Sequence, residues 1–165
     1  MKPPLLDLFE WFNNSPLGAG IRASTWWYPI LELVHSLGII VLLGSIWMVD
    51  LRLLGLILRS RRVSDVAGRL LPWTWAGFAI QSASGILLSL SEAKRLYYIP
   101  YFWMKLALLV LAGLNALLFH FGVYRDVAKW DGTRVTPPLA RMAGAVSIGV
   151  WILVIGAGRA IGYAL

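Results

Sequence analysis

Apolar residues do not alternate along this chain; they come in long runs. Four stretches are nearly unbroken: residues 28–49, 72–90, 101–123 and 139–163. Each is about the 20 residues a helix needs to cross ~30 Å of hydrocarbon. Backbone groups find no water there, so helices are the expected form. The pattern predicts an all-α fold, an integral membrane four-helix bundle forming a single transmembrane domain over residues 1–165. Pro29 and Pro72 stand at predicted span starts, where proline forfeits no helical hydrogen bond. Residues 1–25 precede the first span as an interfacial segment. Within it, PPLLDLFEWF puts Leu5, Leu8, Phe9 and Phe12 on one helical face, suited to lying flat at a membrane surface. Asp7 and Glu10 interrupt the apolar run that a signal peptide would require. SDVAGRLLPW, from Ser64, reads as a short interfacial turn of helix.

Charge gives these spans a direction. The first and third connections carry nine basic residues: Arg52, Arg59, Arg61, Arg62, Arg69, Arg125, Lys129, Arg134 and Arg141. The opposite side carries five: Lys2, Arg22, Lys94, Arg95 and Arg159. Basic loops stay in the cytoplasm, so both termini are expected on the outer, periplasmic side of a bacterial inner (plasma) membrane crossed several times. Composition agrees with that class. The chain is 59% hydrophobic and 14% charged, where a soluble domain is about half apolar and a quarter charged. The lipid bilayer is the first expected partner. The net charge of +7 is accounted for by loops facing anionic lipid, and no basic patch stands apart from a span, so no nucleic-acid partner is expected. The absence of cysteine removes disulfides, thiolate metal sites, iron–sulfur clusters and covalent haem attachment.

Polar residues inside the runs are the candidate chemistry, because an ionisable group at such depth is costly unless paired. At 1.5 Å per residue, His35 lies roughly 6 Å and Glu32 roughly 10 Å outward of the midplane, on one face of the first span. Lys105 opens the third span at the depth of Glu32. Gln81 and Ser84 share a small, polar face of the second span with Gly77, Gly85 and Leu88, which reads as bundle interior. The fourth span aligns Gly144, Ser147, Trp151, Ile155, Gly158 and Gly162, with Arg159 near its outer end. The expected outer cluster is therefore Glu32, His35, Gln81, Ser84, Lys105 and Arg159. A second group, Asp50, Arg52, Asn115 and His120, is expected at the inner edge.

Each of these has a plain reading beside the functional one. His35 serves as a metal ligand or as a neutral imidazole bridging two helices. Glu32 orients the His35 ring or pairs with Lys105. Lys105 and Arg159 bind anionic groups or extend their stems toward the headgroups. Asp50 and Arg52 suit an interfacial ion pair. His120 caps the inner end against Asp50 or is a ligand of a second metal site. It cannot share an iron with His35: the two differ by roughly 18 Å along the membrane normal, whereas two axial ligands at ~2 Å each stand about 4 Å apart.

HSLGIIVLLGSIWMVDLRLLG and YFWMKLALLVLAGLNALLFHFGVYR together resemble small bacterial membrane proteins grouped around the membrane protoporphyrinogen oxidase and copper-resistance D families. The pattern E-x-x-H…G…D-L-R-L-L-G is similar to that of uncharacterised four-span bacterial proteins. The resemblance implies a bundle that binds haem b, with His35 as the axial iron ligand and Lys105 as the matching lysine. Lys105, Arg159 or Arg95 would hold propionates, or Lys105 would be the sixth ligand. The leading expectation is a b-type haem protein in electron transfer or a redox step on a membrane-soluble substrate. One alternative is a non-haem transporter or a structural subunit of a larger membrane complex. Another is an oxidoreductase of the protoporphyrinogen oxidase type. Homo-oligomerisation or membership of a larger membrane redox complex fits the small-residue faces.

Overall fold

The computed structural model describes residues 3–131 and 135–165; Lys2 and Arg134 of the charge count lie outside them. The described residues form helices and no strand. Two short helices, α1 (Pro4–Asn13) and α2 (Pro16–Ala23), precede the long α3 (Trp27–Leu53) and α4 (Val63–Ser91). The short α5 (Ala93–Tyr97) leads into α6 (Pro100–Phe121). A 3-10 turn (Val123–Asp126) and α7 (Val127–Trp130) lead toward α8 (Pro138–Ala164). Three helical stretches are long and apolar enough to cross a membrane: Trp27–Leu53, Pro100–Trp130 and Pro138–Ala164. Their outward faces expose Leu33, Leu37, Ile40, Leu114, Leu117, Ile152 and Leu153, a surface suited to lipid contact.

α4 departs from expectation. It runs unbroken from Val63 to Ser91, with Pro72 inside it, so the interfacial turn and the span expected separately are one helix. Pro72 has no N–H to donate to the carbonyl of Gly68 one turn earlier, so α4 continues with that one helical bond missing. α4 does not join the three by apolarity, because Thr74, Gln81, Ser82, Ser84 and Ser89 interrupt its run.

The helices pack as two pairs. α3 lies along α4, α6 lies along α8, and α3 with α8 joins the pairs, while α4 and α6 meet at most marginally. Glycine permits the tightest contact. A Cβ at Gly77 would fall 2.6 Å from the backbone nitrogen of Leu42, and one at Gly38 would fall 2.9 Å from Ile80 Cγ2. The small face of α4 is thus the face it turns to α3, as its spacing predicts.

The bundle has two unlike ends. At the loop end, the α3–α4 and α6–α8 connections interlock. α3 stops in a Schellman motif: Gly55 takes φ +72°, its N–H reaches Arg52 O at 3.0 Å, and Leu56 N reaches Leu51 O at 3.0 Å. The N-terminus of α4 has no side-chain cap of its own. Asp131 supplies one from the far connection, accepting from Val63 N at 2.6 Å and also from the Ser64 hydroxyl. Leu53, Val63 and Ala140 form the core beneath, with Phe119, Tyr124 and Trp130 packed against it.

At the terminal end, α1, α2 and α5 close over the start of α3 and the end of α4. Arg22 holds them by donating to Ser91 O and Asn13 O, both at 2.6 Å. Gly18 lets α2 approach, since a Cβ there would meet Leu90 O at 2.7 Å. Phe9 sits among Tyr97, Phe102 and Trp103 with ring centroids 5.5–6.0 Å away. The inward face of α1 is therefore Leu6 and Phe9, while Leu5 and Leu8 are exposed. The expected face was one step off, because α1 packs on α5 and the start of α6.

Candidate functional site

α4 and α6 do not close on each other, and a cavity of about 680 Å³ remains among α3, α4, α6 and α8 in the terminal half. This lies within the ~300–1,000 Å³ of small-molecule sites. Most of its wall is apolar: Leu42, Phe78, Ile86, Leu106, Leu109, Trp151 and Val154. Phe78, Ile86, Leu106 and Leu109 are also exposed on the outside, so the cavity meets the surface between α4 and α6. Toward the terminal end it opens into a charged vestibule of about 470 Å³, lined by Arg22, Tyr28, Glu32, Glu92 and Arg95.

His35 is the most constrained polar group in the wall. The Ser84 hydroxyl donates back to Ile80 O at 2.6 Å. It therefore accepts the Nδ1–H of His35, 2.9 Å away. Nε2 then keeps its lone pair and accepts from the Gln81 amide at 2.7 Å. The imidazole is neutral, held at both nitrogens by α4, and seated on Gly85, where a Cβ would stand 3.1 Å from Cε1. Gln81 Oε1 is buried without a donor.

Lys105 enters from the opposite wall. Its Nζ lies over Gly158 of α8, 3.6 Å from where a Cβ would begin. Among the described residues it makes no hydrogen bond or ion pair. Such an ammonium in an apolar wall lacks the anion it needs.

The structure brings Glu32, His35, Gln81 and Lys105 together around one cavity, with Ser84 behind His35. Glu32 neither orients His35 nor pairs with Lys105; it is exposed at the mouth, and Ser84 has the orienting role. Arg159 does not belong to the cluster. One position past Gly158, it turns outward and lies over the Tyr163 ring, its guanidinium carbon 4.8 Å from the centroid. Arg95 is at the vestibule, paired with Glu92 at 3.5 Å. His120 is exposed in the last turn of α6, stacked on Tyr124 at 5.7 Å, away from this cavity. The expected Asp50–Arg52 pair is not formed: Arg52 donates to Arg61 O at 2.8 Å and to Thr136 Oγ1 at 3.4 Å. Two residues apart on a helix, the side chains diverge by about 160°. Asn115 donates to Ala143 O at 3.1 Å and joins α6 to α8. No group of three or more His, Cys, Asp and Glu able to hold a metal ion occurs among the described residues.

Sequence reasoning missed Tyr28, Glu92, Phe9 and Phe12 as lining residues. Glu92 follows the last residue of α4 and read as part of a loop; only the folding of α1, α2 and α5 over that end turns the connection into a wall. No curated protein and no solved structure matches the chain significantly. A family model matches residues 8–164, nearly the whole chain, so the protein belongs to DUF6644, a family of unknown function.

Proposed function

We propose that the protein is a four-span membrane protein with both termini outside, and that its cavity holds a membrane-soluble apolar molecule bearing an acidic group. The carrying observation is Lys105, an ammonium without an anion among the described residues, facing an apolar cavity. The acidic group of the ligand would supply the missing counter-charge. The apolar body would fill the space beside Trp151, Leu106 and Leu109 and enter from the bilayer between α4 and α6. His35, neutral and fixed by Ser84 and Gln81, would give the ligand head a rigid polar wall. For α4, the fourth span, support comes from its length of 29 residues, about 43 Å, alongside α3.

Haem b is one molecule of this class, a flat apolar macrocycle with two carboxylates, and one observation favours it as a second reading. The Nδ1–H of His35 is committed to Ser84, the arrangement that orients a ligating histidine and leaves the Nε2 lone pair for iron. The fit is conditional on Gln81, whose amide meets Nε2 at 2.7 Å and must swing aside. Iron bound there would supply one-electron chemistry, with Lys105 on the carboxylates or at the sixth position.

Purification in mild detergent, extraction and mass spectrometry test both readings, with an absorption spectrum of the same sample. The expected result is a co-purifying apolar acid that falls at least tenfold in Lys105→Met. A Soret band lost in His35→Ala identifies haem. A wild-type protein that carries no apolar acid and binds none added as fatty acid or haem overturns the proposal.

A further inference from the structure

Asp50 lies outside the cavity, near the loop end of α3, and is 6% exposed. Its Oδ2 is fully buried with no donor. One turn earlier on the same helix, the Nε1–H of Trp47 is buried with no acceptor. Ser147 of α8, itself buried, is the side-chain hydroxyl beside the carboxyl group. α8 crosses closely here: a Cβ on Gly144 would lie 3.1 Å from Asp50 O and 3.3 Å from Leu53 Cβ.

Cations are not at hand. Arg52 is spent on Arg61 O and Thr136. On the helices packed against α3, Arg141 of α8 and Asp65 and Arg69 of α4 are exposed at this level, and none pairs with Asp50. A buried carboxylate without a counter-cation costs several kcal/mol, whereas a carboxylic acid with hydrogen-bond partners costs far less. A buried orphan acceptor and a buried orphan donor one turn apart are the polar lining a bound water requires.

We infer that Asp50 is a buried proton-exchange site. Its carboxyl group binds a proton, is hydrogen-bonded to Ser147, and is joined to Trp47 Nε1 through a bound water. On release, the proton passes to water at the loop end and leaves the carboxylate held by the same Ser147 hydroxyl and bound water. The site is independent of the cavity ligand, because no residue of the cavity wall belongs to it.

Infrared difference spectroscopy on the full chain in lipid nanodiscs, in light and heavy water, tests this. The expected spectrum at neutral pH contains a protonated-carboxyl stretch that shifts on deuterium exchange. It is absent in Asp50→Asn, and its frequency moves in Ser147→Ala, which keeps the carboxyl group. If Asp50→Asn does not fold, the Ser147→Ala shift decides. A wild-type spectrum without the band at neutral pH, a band retained in Asp50→Asn, or one unmoved in Ser147→Ala overturns the inference.

Discussion

At the loop end, Asp131 accepts from Val63 and Ser64, Arg52 donates into two connections, and Leu53, Val63 and Ala140 are at most 1% exposed. At the terminal end, Lys105 has no partner among the described residues, Gln81 keeps an unused oxygen, and about 680 Å³ stays open. The same four long helices build both ends. What differs is whether polar groups close on one another or on a space. Where they close on one another, they bind connections to helix ends and add stability. Where they face a space, they cost stability and mark a place for something else.

The sharpest way to break this contrast is at the loop end. Asp131→Ala removes the acceptor for the N-terminus of α4 and is expected to cost about 2–3 kcal/mol, read as a shift of the unfolding midpoint in mixed micelles. A loss below about 0.5 kcal/mol would show that the connection does not anchor α4. Gly77→Ala is next. Its methyl group meets the Leu42 backbone, and an overpacking cost of about 1–3 kcal/mol is expected in the same assay. At the terminal end the sign reverses. Lys105→Met is expected to stabilise the ligand-free protein by about 1 kcal/mol, since it removes an unpaired ammonium from an apolar wall. It should abolish retention of the apolar acid at the same time; a destabilised Lys105→Met would show the lysine to be structural. The smallest effect is expected from Lys94→Ala. Its 3.3 Å pair with Glu10 is exposed, and its loss should move the midpoint by at most about 0.3 kcal/mol.

Much of the site was legible because helical geometry is periodic and spans have fixed depth. Residues three or four apart share a face, and residues at equal distance from the span starts share a level. That arithmetic placed Glu32, His35, Gln81 and Lys105 together, and assigned the Gly77–Gly85 face to the interior. It failed where an angle or a partner mattered. Arg159 and Gly158 differ by one position, yet Gly158 faces Lys105 while Arg159 lies on Tyr163. Ser84 rather than Glu32 orients His35, because that choice depends on how closely α3 and α4 approach. Pro72 looked like a helix start, since a proline signal cannot report that the preceding turn also packs as helix.

Apolar run length by itself determined the all-helical class and the approximate ends of three long spans, and the absence of cysteine excluded thiol chemistry. These follow from local rules: backbone satisfaction, rise per residue and residue identity. Only the tertiary structure decided that α4 and α6 stay apart, that α1, α2 and α5 roof one end, and that Asp131 caps a helix 68 residues away. Pairing between helices depends on close approach at a few glycines and on contacts distant in sequence, which no window along the chain contains.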